Sequence, residues 1–352
     1  MPPPMPDPLS PPPRQRRIDL RRAELWMVLA VVVFVAGFVG VAAAVGGDKV
    51  VANLTRLGLP MVLGMLALSL VNYGLRATRW LIYSRRLGVE VPAGANLLYY
   101  FTGFALTTTP SKLGETLRHW LLERGHGYAY SRTLPLWIAD RLNDVTASIV
   151  LILAGLAGFS EYLWQVGVFV AVFAAFMALV ARPRLLLGAV TWVYGRVRRR
   201  GRIFASFRRM IRFSAALFTP RLYLIGVGFA TIGWLAECIA FWWLLREMGA
   251  PLSLAQAIFV FSFSLLFGGV SLTPGGLGGF EASMIFLLNE LGLSLDIAVA
   301  ATVVIRATTL WFAVALGFAC MPFALHRVRH PAGRDARRHR ARRQGKERDH
   351  HE

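Results

Sequence analysis

The chain has 352 residues, of which 56% are hydrophobic and 16% are charged, and its mean hydropathy is +0.52. This composition excludes an ordinary soluble domain and is typical of a polytopic membrane protein. The formal net charge is +20, but many arginines lie between apolar segments, so they report membrane topology first. No folded basic domain is visible, and we predict that no nucleic acid binds.

Cysteine and histidine patterns do not indicate a metal site. Cys238 and Cys320 lie in separate apolar segments without a CxxC or Cys/His spacing, and five of the seven histidines fall in the C-terminal tail. We therefore predict no metal site, no cofactor and no disulfide framework.

The chain begins with a Pro-rich basic stretch, and we predict a disordered cytoplasmic arm over residues 1–23. A transmembrane domain is predicted over 24–325. A basic, disordered cytoplasmic tail follows over 326–352, and we expect it to attract anionic lipids. Eight apolar segments within the domain are candidate membrane elements. They are 24–45, 58–83, 94–122, 133–159, 163–181, 221–245, 254–291 and 297–325.

Two of these segments are interrupted by helix-breaking residues. Segment 94–122 contains "TTTPSKLGE", and segment 254–291 contains "LTPGGLGGFE". If both segments crossed the bilayer fully, the arginine cluster of 182–220 would lie outside, against the positive-inside rule. If both dip in and return, the cluster and both termini lie inside. We predict an all-α polytopic protein with six full transmembrane helices and two re-entrant helical hairpins.

The two interrupted segments resemble copies of each other. "TTPSKLGE" at 108–115 aligns with "LTPGGLGG" at 272–279 at an offset of 164, and Arg141 corresponds to Arg306 at an offset of 165. The predicted topology makes the halves 24–159 and 163–325 inverted in the membrane. Inverted repeats with broken helices are typical of secondary transporters, whose substrate binds near the bilayer midplane.

Ionisable residues cluster around the two predicted hairpin tips. The free N–H groups at the start of a half-helix favour anions, and glycine allows a ligand to approach the backbone closely. Charged groups in a membrane are costly, so they pair with one another or line a substrate route. The candidate site residues found in this way are Lys112, Gly114, Glu115, Arg118, Asp140, Arg141, Asp144, Gly278, Glu281 and Arg306.

Structural interpretations remain open beside the functional one. Asp140, Asp144 and Arg141 could form a charge cluster that only locks helices together. Arg306 and Glu281 could likewise form a static pair.

Three other charged residues are left outside the predicted site. Glu237 lies mid-span without a motif, which leaves a structural and a functional role equally open. For Arg76 and Arg79, near the cytoplasmic end of their span, we favour snorkelling to the membrane surface.

Four stretches together resemble one known family. "TPSKLGETLRHWLL", "DRLNDV", "TPGGLGGFEA" and "VIRATTLWFAVALG" are similar to the lysylphosphatidylglycerol synthetase transmembrane-domain family of flippase-like membrane proteins, over roughly residues 24–325. The resemblance implies a bacterial or archaeal cytoplasmic-membrane protein that moves lipid across the bilayer. Residues that match the family motifs are Lys112, Gly114, Glu115, Arg118, Arg141, Asp144, Gly276, Gly278 and Glu281. The synthetases also carry a soluble transferase domain, whereas only a short basic tail follows residue 325 here, so we expect a stand-alone membrane half.

These observations predict a flippase or translocase in the cytoplasmic membrane, with both termini in the cytoplasm. Its substrate is expected to be an anionic or zwitterionic membrane lipid, and a homo-oligomer is left open. Two alternatives remain. One is an intramembrane transferase acting on a lipid headgroup, in which paired carboxylates serve as acid and base. The other is a non-transporting interaction protein that recruits partners through its basic tail.

Overall fold

A computed structural model describes residues 57–108, 113–156, 219–270 and 276–329, with the isolated residues Asp48, Ala52, Leu217 and Thr273. The spans predicted at 24–45 and 163–181 lie outside the described residues. The arm at 1–23, the arginine cluster of 182–220 except for Leu217, Thr219 and Pro220, and the tail from residue 330 also lie outside them.

The described residues form eight helices and no strand, which confirms the predicted all-α class. Their positions agree with the six apolar segments predicted in this part of the chain. The helices are α1 (Leu59–Arg86), α2 (Ala93–Thr102, continued by a 3-10 turn at Gly103–Leu106), α3 (Leu113–His126), α4 (Tyr130–Leu156), α5 (Pro220–Glu247), α6 (Leu254–Val270), α7 (Gly279–Glu290) and α8 (Leu295–Arg329).

Three of the described helices, α1, α5 and α8, are long and apolar enough to cross a membrane. Proline stands in the first turn of both α1 and α5, where the missing N–H is not needed. α4 has 27 residues but carries Asp140, Arg141 and Asp144 within it.

Both interrupted segments fold back on themselves. α2 with its 3-10 turn packs against α3, and α6 packs against α7. Gly276 and Gly278 have φ values of 70° and 86°, a left-handed conformation that glycine adopts without strain. A Cβ atom at Gly268 of α6 would lie only 2.9 Å from the Cβ of Phe280 in α7, so the returning chain passes directly against the end of α6.

α1 and α5 correspond in the two halves, and they pack side by side in opposite directions. Both have 28 residues, and their first residues, Leu59 and Pro220, differ by 161 positions. A Cβ at Gly64 would contact Trp243, and one at Gly233 would contact Asn72. Because 72 and 233 also differ by 161, the two helices cross at equivalent positions.

The hairpins pack on the opposite halves of the chain. α6 packs on α4, and α2 with its 3-10 turn packs on α8. A glycine permits close contact between the helix backbones at each of these two interfaces. A Cβ at Gly155 would lie 2.6 Å from the Phe259 backbone nitrogen, and one at Gly317 would lie 2.8 Å from the Ala105 Cα. Small residues at helix contacts are typical of membrane proteins, in which close backbone approach drives association.

α8 contains a π-helical turn at Ala307–Trp311, directly after Arg306. The Tyr73 hydroxyl of α1 donates a hydrogen bond to the Thr309 carbonyl within this turn. Turns of this kind interrupt the regular backbone ladder and occur frequently at functional sites. The turn fastens α8 to α1 directly beside Arg306.

Candidate functional site

A cavity of about 420 Å³ lies where the two halves meet, and all eight described helices or their ends contribute to its walls. Its aromatic lining consists of Tyr73, Phe104, Trp137, Trp234, Phe261 and Phe280. Its charged lining consists of Arg76, Arg118, Arg141, Asp144, Glu237 and Arg306. The cavity therefore has mostly apolar walls that include several charged side chains, as is typical of small-molecule sites.

Eight pairs of corresponding positions in the two halves form most of the cavity walls. α4 and α8 contribute the same four positions at an offset of 165, and α1 with α2 corresponds to α5 with α6 at an offset of 161. The pairs that line the cavity are Arg141 and Arg306, Asp144 and Thr309, Val145 and Leu310, Ser148 and Ala313, Tyr73 and Trp234, Arg76 and Glu237, Phe104 and Leu265, and Thr107 and Gly268. The cavity therefore lies between the two halves, and equivalent positions of both halves face it.

Five charged side chains form a network between α1 and α4. Arg79 forms ion pairs with Asp140 and, at 2.8 Å, with Asp144. Arg76 lies 3.1 Å from Asp144, and Arg141 lies 3.0 Å from the same carboxylate. Arg76 and Arg79 are three positions apart on α1. On α4, Asp144 follows Arg141 by three positions and Asp140 by four, so each set lies on one side of its helix.

The snorkelling interpretation of Arg76 and Arg79 is wrong. Arg79 is fully buried and Arg76 is 8% exposed. Both side chains turn to the carboxylates of α4, because ion pairs inside the protein compensate their charge there. The sequence signal was the complementary spacing of Arg76 and Arg79 on one helix and Asp140 and Asp144 on another.

A second ion pair joins α7 to α8. Glu281 lies in the first turn of α7, where a carboxylate stabilises the helix terminus, and its Oε2 accepts a 2.6 Å hydrogen bond from the Gly278 N–H. Its Oε1 lies 2.6 Å from the Arg306 Nε. The break at Gly278 therefore places a capping carboxylate beside a cavity-lining arginine.

Arg118 of α3 occupies an aromatic enclosure beside the cavity. Its guanidinium carbon lies 4.0 Å from the Tyr100 ring centroid, 5.2 Å from that of Phe104 and 5.6 Å from that of Trp80. Its Nε donates a 3.0 Å hydrogen bond to the Tyr100 carbonyl. Aromatic faces attract cations, so these contacts hold the guanidinium at the cavity wall.

Five of the predicted site residues line the cavity, and the others lie behind it, in the turns beside it or outside the described residues. Those that line the cavity are Arg118, Arg141, Asp144, Gly276 and Arg306. Asp140 and Glu281 lie behind it, each paired with a lining arginine, and Gly278 lies in the turn before α7. Gly114 and Glu115 lie in the first turn of α3, and Lys112 lies outside the described residues.

Four charged or aromatic residues of α1 and α5 line the cavity but were not predicted as site residues: Tyr73, Arg76, Trp234 and Glu237. The sequence signal for two of them is the 161-residue offset between α1 and α5, which aligns Arg76 with Glu237. Counting only the described residues, five arginines and four carboxylates surround the cavity. The arrangement provides a small surplus of positive charge inside an apolar protein, and it can hold an anionic group.

Comparison with known proteins agrees with the motif pattern. Residues 27–317 match the family model described as the lysylphosphatidylglycerol synthase TM region. A UPF0104 membrane protein of Methanothermobacter thermautotrophicus (strain Delta H) is 27% identical over 324 residues, which cover 83% of this chain and 94% of that protein. A UPF0104 membrane protein of the same organism also matches with 31% identity over 86 residues, 24% of this chain and 26% of that protein. The family match covers most of the chain and every charged residue that lines the cavity, so the chain is a membrane protein that belongs to the lysylphosphatidylglycerol synthase TM region family.

Proposed function

We propose that this protein is a lipid translocase that moves a polar, phosphate-bearing lipid across the cytoplasmic membrane. The observation that carries the proposal is the charged cavity between the two halves. Among the described residues, five arginines and four carboxylates line this cavity or are ion-paired to a residue that lines it. A phosphodiester carries one negative charge, and guanidinium groups bind phosphate oxygens through fixed pairs of N–H donors. The surplus of positive charge is therefore suited to one phosphate group.

The cavity matches the headgroup of a lipid in size and character. Its volume of about 420 Å³ lies at the small end of ligand pockets, so a headgroup fits and a whole phospholipid does not. In this proposal the headgroup phosphate binds Arg141 and Arg306, the corresponding arginines of the two halves. The acyl chains remain in the bilayer. Aromatic and aliphatic walls around the charges exclude water and strengthen the electrostatic attraction.

Inverted repeats give the proposed route of movement. The equivalent helices α1 and α5 run in opposite directions, and the cavity is lined by matched positions, which supports two inverted halves with six full spans and two re-entrant hairpins. Rocking of one half against the other would then open the cavity alternately to each leaflet.

The arginine distribution gives the proposed orientation. With both termini in the cytoplasm, the arginines of 182–220 and of the tail face the side on which positive loops accumulate. The tail would also attract anionic lipids of that leaflet.

Reconstitution tests the proposal. Purified protein is placed in liposomes that carry phosphatidylglycerol or phosphatidylcholine labelled with a fluorophore on the acyl chain, and dithionite reports the exchange between leaflets. We expect the wild type to exceed empty liposomes. Arg141→Gln should lower the exchange at least about tenfold, because it removes one charge-assisted phosphate contact. Arg124→Gln, an exposed position on α3, is the control and should match the wild type.

The other outcomes separate the alternatives. Equal exchange in protein-containing and empty liposomes would reject a translocase. A chemically altered lipid, detected by mass spectrometry, would indicate the headgroup transferase. Loss of cellular function on deletion of 326–352, without loss of lipid exchange, would indicate an interaction protein.

A further inference from the structure

Glu237 is a buried carboxylate of α5, and the phosphate-binding proposal uses it only as one of the four negative charges around the cavity. It is 2% exposed and lines the cavity. Its corresponding residue in the first half is Arg76, which lines the same cavity 161 positions earlier. The two halves thus present opposite charges at one position.

Glu237 differs from the three other carboxylates around the cavity. Asp140, Asp144 and Glu281 each lie within 3.3 Å of an arginine nitrogen. In the part of the chain that the structure describes, Glu237 has no arginine, lysine or histidine nitrogen within the 4.0 Å of an ion pair. An ionised carboxylate buried without a partner is costly, and binding a proton or a cation removes that cost.

The groups that face Glu237 come from several packed helices. α1 contributes Tyr73 and Arg76, α4 contributes Asp144, and α8 contributes Arg306. α6 also packs on α5 but carries no titratable residue among its 17. Cys238, the residue after Glu237 in α5, instead faces α6, where its Sγ atom lies 3.6 Å from the Ser262 Oγ atom. Glu237 is therefore attracted by two arginines and repelled by one carboxylate.

Both attracting arginines already have carboxylate partners. Arg76 lies 3.1 Å from Asp144, and Arg306 lies 2.6 Å from Glu281. Both also line the cavity in which the proposed headgroup binds. A phosphate held there would compete with Glu237 for the same positive charge and would repel its ionised carboxylate.

We propose that Glu237 is a proton-binding site coupled to the headgroup, which takes up one proton from water when an anionic headgroup enters the cavity. An O–H bond forms on the Glu237 carboxyl group, and the proton returns to water when the headgroup leaves. This inference rests on the proposed lipid translocase and adds the ion that moves with the lipid.

Thermodynamic linkage makes the coupling reciprocal. If protonation of Glu237 strengthens headgroup binding, a bound headgroup strengthens proton binding by the same factor. An anionic lipid and a proton then travel together, so the loaded cavity changes its charge little. A proton gradient across the membrane would drive the lipid toward the side with the lower proton concentration.

The first test measures the pH dependence of lipid exchange. Liposomes that contain the full chain and labelled phosphatidylglycerol are assayed from pH 5 to 9, a range in which the phosphodiester keeps its charge. For the wild type we expect exchange to fall with rising pH, by at most about tenfold per pH unit, the limit for one titrating group. Glu237→Gln resembles the protonated side chain and should vary less than about twofold over the same range.

Control variants identify the titrating group. Glu247→Gln lies on the same helix at an exposed position and should keep the wild-type pH profile. Glu237→Asp retains a carboxyl group and should keep the pH dependence. Identical pH profiles for the wild type and Glu237→Gln would overturn the proposal. An exchange rate that depends on sodium and not on pH would also overturn it.

A second measurement needs only the wild type and holds even if Glu237→Gln fails to fold. A pH-sensitive dye is enclosed in the liposomes, and labelled phosphatidylglycerol is added to the outer leaflet. Inward lipid movement should acidify the interior by about one proton per lipid. Lipid exchange without acidification would overturn the proton coupling but leave the translocase. Absence of exchange at every pH would reject the translocase itself, so the two failures are distinguishable.

Discussion

The Glu281 Oε1 atom of α7 lies 2.6 Å from the Arg306 Nε atom of α8, and both side chains are at least nine-tenths buried. Removing one member of such a pair leaves an uncompensated buried charge. We predict that Glu281→Gln or Arg306→Gln alone lowers the free energy of unfolding by ~3–5 kcal/mol. The double variant Glu281→Gln/Arg306→Gln should recover part of that loss because no charge remains unpaired. Thermal unfolding in detergent, followed by tryptophan fluorescence, measures all three.

Glu290→Gln is the matched control for this pair, since it changes an exposed carboxylate on the same helix. We expect it to unfold at the wild-type temperature. If the double variant were as unstable as the sum of the two single variants, the two side chains would not be coupled and the pair would contribute little.

Arg79 bridges Asp140 and Asp144 from a fully buried position. Lysine carries a compact charge on a flexible stem and lacks the planar fork of donors. We predict that Arg79→Lys lowers the unfolding temperature clearly. Arg141→Lys should have a smaller effect, because the Arg141 side chain is 33% exposed and water can complete its contacts. Equal unfolding temperatures for the two variants would contradict the bridging role of Arg79.

Much of the described fold could be predicted because helix breakers are local. The proline and the four glycines clustered in "LTPGGLGG" disfavour a continuous helix, and α6 and α7 lie on either side of that stretch. Hydrophobic length similarly predicted α1 and α5 to within three residues at each end. The π-helical turn at Ala307–Trp311 could not be predicted, because no proline or glycine marks it in the sequence.

Only the α4 members of the charged network were predicted as site residues. Asp140, Arg141 and Asp144 were expected to pair because they lie well inside a span, where isolated charge is costly. Arg76 and Arg79 lie nearer a helix end, where a long side chain can reach the surface, so their sequence position favoured the wrong interpretation. Their burial depends on how α1 and α4 pack, which is a tertiary property. The match of Arg76 with Glu237 emerges only when α1 and α5 are aligned.

Gly103 controls the position of Arg118. A Cβ atom at Gly103 would lie 2.6 Å from the Arg118 Cγ, closer than real side-chain contacts allow. We predict that Gly103→Ala displaces Arg118 from its aromatic enclosure and lowers phosphatidylglycerol exchange in liposomes to the level of Arg118→Ala. Gly94→Ala in α2 is the control, because nothing lies within 4 Å of a Cβ there, and it should exchange lipid at the wild-type rate. Normal exchange by Gly103→Ala would separate the Arg118 position from transport.

Gly155 and Gly317 permit the two contacts by which each hairpin packs on the opposite half. A Cβ at Gly155 would lie 2.6 Å from the Phe259 nitrogen, and one at Gly317 would lie 2.8 Å from the Ala105 Cα, so main chain would have to move. We predict that each alanine variant lowers the free energy of unfolding by ~1–3 kcal/mol, the usual cost of overpacking.

Gly228→Ala in α5 tests whether the steric contact or the loss of glycine itself matters. No atom lies within 4 Å of a Cβ at Gly228, and alanine favours a helix over glycine by ~1 kcal/mol, so this variant should unfold at the wild-type temperature or above it. Thermal unfolding of the three variants under one detergent condition makes the comparison. If Gly155→Ala and Gly317→Ala unfolded like Gly228→Ala, the hairpins would not depend on close backbone approach, and the packing between the halves would have to rest on their side chains.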